Sequence, residues 1–135
     1  MRSKVYLAGP IHGRTDAQCK AWRTEAASIL GVHDVQCMDP TEHDYRGIED
    51  EFAEELVARD KEWIEECDVV LVNASEPSWG TAMEVLYAES VGSQVIAFTD
   101  AESISPWLRV HATAIFGTLA QALEGILFGQ SAGMR

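Results

Sequence analysis

The stretch "DVVLVNASEPSWGTAMEVLYA", Asp68 to Ala88, runs without a break from an apolar, β-branched segment through a Pro-Ser-Trp-Gly turn into an amphipathic helical pattern. A strand that is apolar at nearly every position has both faces buried, the condition of a parallel sheet covered by helices on both sides. Strand, turn and helix in that order are one repeating unit of such a sheet.

The same unit recurs outward in both directions. Apolar runs stand at "KVYLAG", "DVQCM", "DVVLVNA", "SQVIAF" and "ATAIFG". Between and after them, helical periodicity predicts helices over Thr15 to Leu30, Ile48 to Glu66, Thr81 to Val91, Ser105 to Val110 and Leu119 to Phe128. This alternation predicts an α/β fold, a doubly wound five-stranded parallel sheet of flavodoxin-like or Rossmann-like form. The 135 residues suit a single domain over 1–135, which buries about two thirds of its unfolded surface. The tail "GQSAGMR", 129–135, is small and polar and is expected to fray.

With 10 basic and 22 acidic side chains the net charge is −12. That balance repels polymeric nucleic acid and anionic membrane surfaces, so neither is expected as a partner. A small anion is still compatible, because a few backbone N–H groups and one Arg suffice to hold it. Cys19, Cys37 and Cys67 form no C-x-x-C pair and read as reduced core thiols of a cytoplasmic protein. His12, His33, His43 and His111 show no ligand spacing, so no metal is expected. No G-x-G-x-x-G fingerprint is present, which argues against a nicotinamide dinucleotide, and no cofactor is expected. "MRSKVYLAGPIHG" reads as a strand and turn, not a signal peptide, and no run reaches the roughly 18 apolar residues of a membrane helix.

In a sheet of this kind ligands bind outside the carboxyl ends of the strands. "AGPIHGR", "DPTEHDYRG" and "ASEPSWGTAME" therefore surround one crevice, and the second of these, long and mixed polar and aromatic, has the character of a binding loop. Three residues stand out. Glu84 follows the Pro-Ser-Trp-Gly turn, where an acid is ordinarily explained by the dipole of a first helical turn. Asp60 sits on the apolar stripe of Phe52, Leu56, Trp63, Ile64 and Cys67, as a proton donor with raised pKa or a hydrogen-bonded structural acid. From its place in the helix it lies partway down the sheet and reaches a ligand only in a deep crevice. Tyr6 lies inside the first strand and points away from Val5 and Leu7, where its hydroxyl needs a partner, a carboxylate or backbone. Ser78 and Gly80 read either as an ordinary turn and cap or as a place where backbone and hydroxyl meet a ligand.

The segments "VYLAGPIHG", "RDKEWIEECDVVLVNA" and "PSWGTAMEVLYA", in this order and spacing, resemble the nucleoside 2-deoxyribosyltransferase superfamily, which includes nucleoside transferases and nucleoside 5′-monophosphate N-hydrolases. The likeness is carried mainly by Lys4 to about Phe98. It implies that Glu84 is a nucleophile at the anomeric carbon, that Tyr6 orients it, and that Asp60 meets the sugar or helps to protonate the departing base. Ser78 matches the hydrolase branch, where the transferases carry Asp to hold a free 5′-hydroxyl. Where the hydrolases resemble "GSIRG", this chain has "GPIHG", so Gly9, Ile11, His12 and Gly13 hold the loop position without its Arg. Arg14 is expected to substitute, or Arg109 and His111 across a subunit boundary, since relatives assemble into dimers or larger oligomers.

The resulting expectation is an N-glycosidase that hydrolyses a (deoxy)nucleoside 5′-monophosphate through a covalent glycosyl-glutamate. The alternatives are a deoxyribosyltransferase exchanging bases between deoxynucleosides and a non-catalytic nucleotide sensor. The expected partners are a small-molecule nucleoside or nucleotide and further copies of the chain as a homodimer or higher homo-oligomer. The base is not named by these residues.

Overall fold

The computed structural model describes residues 3–129, so most of the tail expected to fray lies outside the described residues. Strands β1 (Lys4–Ala8), β2 (Gln36–Met38), β3 (Val69–Asn73), β4 (Gln94–Phe98) and β5 (Ala114–Phe116) alternate with helices α1 (Asp16–Val32), α2 (Ala53–Glu66), α3 (Trp79–Ser90), α4 (Pro106–His111) and α5 (Leu119–Phe128). Two short 3-10 turns, Pro40–Glu42 and Glu49–Glu51, lie between β2 and α2.

All strand pairs are parallel and their order is β2-β1-β3-β4-β5. The order reverses between β1 and β3, and at that point the loops leaving the two strands diverge to opposite faces and open a crevice. Strand alternation divides the core in two. Tyr6, Ala8, Val70, Val72, Val95 and Ala97 face Ile64 of α2 and Val85 and Ala88 of α3. Val5, Leu7, Leu71, Ile96 and Phe116 face Ala26 and Leu30 of α1 and Ala122 and Leu123 of α5. Both faces are dry, which is why the strands read as continuous apolar runs. Gly125 lets α5 lie on this second face, since a Cβ there would stand 2.5 Å from the buried Phe116 ring.

Helix ends follow their caps and not the apolar period. Thr15 and Gln18 form a reciprocal capping box at the start of α1. The helix expected from Ile48 is corrected to begin at Ala53. The preceding segment turns as a 3-10 helix, where the Glu49 carboxylate reaches back to accept from the Gly47 N–H at 2.8 Å. Helix α3 begins at Trp79, two residues before the predicted Thr81, because the Ser78 hydroxyl accepts from the Thr81 N–H at 3.3 Å and so marks the cap. Helix α4 begins with Pro106 at its first position and ends at His111. Among the described residues no helix is long and apolar enough to cross a membrane, and no group of three or more His, Cys, Asp or Glu is placed to hold a metal ion.

Candidate active site

Glu84 is the sixth residue of α3, in its second turn, and the first turn carries no acid. The dipole of a first turn therefore does not account for it, since that field fades within one turn. What holds Glu84 is Tyr6. From the middle of β1, with no exposed surface, Tyr6 donates its hydroxyl to Glu84 Oε2 at 2.5 Å. Ladder pairing of Tyr6 with Val70 fixes the ring, and helix α3 brings Glu84 above it.

Burial pushes the Glu84 carboxyl up to about 7, and the negative charge of Asp60 adds to the rise; the Tyr6 hydrogen bond and the Arg23 cation oppose it. The Tyr6 hydroxyl is driven far above its ordinary value by burial and then by the charges of Glu84 and Asp60, so it remains a donor. Asp60 is raised by burial, against the hydrogen bond and charge of Arg59, the Tyr6 hydroxyl and the charge of Arg23. Its Oδ1 accepts from Arg59 Nη2 at 3.1 Å, and the Arg59 guanidinium lies over the rings of Tyr45 and Trp63. Asp60 thus belongs electrostatically with Tyr6 and Glu84, each of which feels its charge. A carboxylate that ionises near neutrality, a fixed phenol donor and a second acid with raised pKa can serve a displacement in which one acid attacks and another gives a proton.

At the switch point of the sheet two loops face each other. Arg14 Nη2 meets Glu76 Oε2 at 3.0 Å, joining the β1–α1 loop to the β3–α3 loop. Pro10, Gln18, Asn73 and Ser75 line the same cleft, of about 170 Å³. Ile11 is half-buried and its carbonyl accepts from the Arg14 N–H at 3.0 Å, while Gly13 takes a positive φ of 70° that closes this turn. Gly9 is glycine for packing, since a Cβ would stand 2.8 Å from the Trp22 ring. A Cβ on Gly80 would meet open space, so the start of α3 is accessible to a ligand.

Three expected contacts are not brought to this cleft. His12 is 84% exposed and its Nδ1 pairs with Glu49 at 2.8 Å. Arg109 and His111 lie at the far end of α4. His111 pairs with Glu89 at 2.9 Å, and Thr113 bonds the carbonyl of Val95 at the start of β4. Glu89 is eleven residues beyond Ser78 on α3, about 16 Å along the axis, so Arg109 and His111 lie toward the opposite, amino end of the strands within one chain.

Two arginines near the site carried no expectation. Arg23 has no exposed surface and donates to the carbonyls of Leu7 at 3.1 Å, Gly9 at 2.9 Å and Cys19 at 2.5 Å. It ties the end of β1 to α1, and its Nε lies 3.8 Å from Asp39. The available signal was a cation on the stripe Cys19, Arg23, Ala26, Leu30. Arg59 was recognisable only as the neighbour of Asp60.

Residues 5–125 match the family model for nucleoside 2-deoxyribosyltransferase. The chain is 28% identical over 108 residues to a protein of Syntrophotalea carbinolica named "Putative 2'-deoxynucleoside 5'-phosphate N-hydrolase 1", covering 76% of this chain and 72% of that one. Its fold is similar to that of a 2-deoxyribosyltransferase from Bacillus psychrosaccharolyticus, with a TM-score of 0.71 and 20% identity over 90% of each chain. It is also similar to the CMP N-glycosidase BcmB of Clostridium botulinum, with a TM-score of 0.64 and 19% identity over 93% of this chain and all of that one.

Proposed function

Since the chain belongs to the nucleoside 2-deoxyribosyltransferase family, we propose that it hydrolyses the N-glycosidic bond of a (deoxy)nucleoside 5′-monophosphate, releasing free base and sugar 5-phosphate. The observation that carries this reading is the Tyr6–Glu84 hydrogen bond at the switch point of the sheet. In the first step a Glu84 carboxylate oxygen bonds to the anomeric carbon as the bond from that carbon to the base nitrogen breaks with its electron pair. Asp60, protonated more readily than an ordinary aspartic acid, gives the departing base its proton. In the second step water attacks the anomeric carbon and gives a proton to the Asp60 carboxylate, the ester to Glu84 breaks with its electron pair, and both acids return to their starting states. Tyr6 holds one oxygen of Glu84 throughout, leaving the other to attack.

The 5′-phosphate is assigned to Arg14, Ser78 and the open start of α3 at Gly80. A hydroxyl beside a phosphate can donate to it, whereas the Asp of the transferase pattern would repel it. The base is assigned to the side of the crevice bounded by Tyr45, Arg59 and Trp63.

The outer face of α3 also bears on assembly. Trp79 is 85% exposed, Met83 and Leu86 follow it at helical spacing, and Trp107 and Val110 of α4 are likewise uncovered. That surface supports self-association, as a homodimer or larger oligomer, and a second copy there would stand beside the crevice. The free, largely buried cysteines suit the reducing cytoplasm.

The discriminating experiment compares a nucleoside 5′-monophosphate with its nucleoside, following free base with and without a second added base. The expected result is a kcat/KM at least about a hundredfold higher for the monophosphate, because binding energy at a remote phosphate is expressed at the reacting carbon. Equal use of both substrates, or base exchange outrunning hydrolysis, would establish the transferase in its place.

A further inference from the structure

Glu76 has no place in the chemistry above, yet its carboxylate occupies the one cation that the β1–α1 loop offers to the cleft. Its Oε2 is 3.0 Å from Arg14 Nη2, with the Arg14 side chain 30% exposed and that of Glu76 54% exposed. The two ends are unequally held. Arg14 has its Nε shielded from solvent, with no hydrogen-bond partner among the described residues, so the guanidinium is packed into the wall of the cleft. Glu76 stands on the loop between β3 and α3, two residues before the capping Ser78, with solvent beside it to turn into.

We propose that Glu76 is a specificity-determining residue for the 5′ end of the substrate, its carboxylate resting on Arg14 until a phosphate dianion displaces it. This inference rests on the assignment of the phosphate to Arg14 and deepens it. A dianion and a carboxylate cannot share one guanidinium without repulsion, so the weaker, more mobile anion leaves. A half-exposed ion pair is worth at most about 1 kcal/mol, or about fivefold in an equilibrium constant, so a phosphate can displace it at small cost. A substrate with a neutral 5′-hydroxyl gains nothing from evicting Glu76. The carboxylate then stays, and can accept a hydrogen bond from that hydroxyl. The resident acid thus narrows the preference for the monophosphate.

The test uses the full chain with Glu76→Gln, Arg14→Gln and the double variant. The ratio of kcat/KM for the monophosphate to that for the nucleoside should rise by about fivefold in Glu76→Gln, the ceiling set by a half-exposed pair. It should show no such rise when Glu76→Gln is made on Arg14→Gln, since there is then no cation to release. A purely structural Glu76 would move both substrates together and leave the ratio unchanged. A ratio that is unchanged or falls, or a rise that persists without Arg14, would overturn the proposal. Binding of inorganic phosphate, read by calorimetry, tests it without turnover. Affinity should tighten by about the same factor in Glu76→Gln, and unchanged affinity overturns the proposal. Absence of base release from every substrate would instead refute the proposed reaction, and leave the phosphate measurement to decide the role of Glu76.

Discussion

Glu84 and Tyr6 place opposite demands on one hydrogen bond. Burial favours the neutral acid, while the Tyr6 hydroxyl favours the carboxylate that the reaction needs. The folded protein holds the Glu84 proton up to about pH 7, whereas an unfolded glutamate releases it near its ordinary value of 4.5. The stabilising contribution of Glu84 is therefore complete below about pH 4.5 and is lost as pH rises to about 7. Glu84→Gln does not titrate, so its stability relative to the natural protein should improve across that window and level off above it, in urea unfolding at a series of pH values. The same variant should release no base at any pH. A relative loss of stability for Gln over this window would contradict the burial of the acid. Tyr6→Phe should keep stability within about 1 kcal/mol but slow glycosylation by about tenfold or more. Because the lost hydrogen bond had lowered the Glu84 pKa, the acid limb of the rate profile should move to higher pH; a steep loss of stability at unchanged activity per folded molecule would make Tyr6 a core residue only. At this scale the sequence shows oddities and not partners. Asp60 is visible as an acid on an apolar stripe, but Arg23 bonds carbonyls 16 and 14 residues away, a relation that no helical spacing encodes.

Among the elements, each strand and helix was legible because a doubly covered parallel sheet makes its strands continuously apolar and its helices amphipathic. Their ends were less so. Ser78 caps α3 three residues before the apolar period begins, and a side-chain reach from Glu49 to Gly47 divides what periodicity makes one helix. The cap at Ser78 yields a clean substitution. Asp caps helices about as well as Ser, so Ser78→Asp should change stability by less than about 0.5 kcal/mol. Its charge should nevertheless lower kcat/KM for the monophosphate by about tenfold or more through repulsion, while use of the nucleoside holds or improves. An unaffected monophosphate would remove Ser78 from the phosphate site.

For the whole molecule, a chain of net charge −12 presents a cleft where two loops meet at the reversal of strand order, and the paired Arg14 and Glu76 there bear on the ligand more than the distant surface does. Sequence order alone could not tell which end of the strands Arg109 and His111 would reach, because α4 is only six residues long and lies on the way from the carboxyl end of β4 to the amino end of β5. Within one chain they stand toward the strand ends away from the cleft, so any role for them depends on a second copy. In the proposed reaction everything turns on Glu84 becoming covalently bonded to the sugar. Its most direct test is mass spectrometry of the protein after reaction with a nucleoside 5′-monophosphate whose 2′-fluorine slows hydrolysis of the intermediate. The expected result is a mass increase equal to the fluorinated sugar phosphate less one water, located on the peptide containing Glu84 and absent from Glu84→Gln. Base release by the natural protein with no adduct at Glu84, or with the adduct on another side chain, would contradict it.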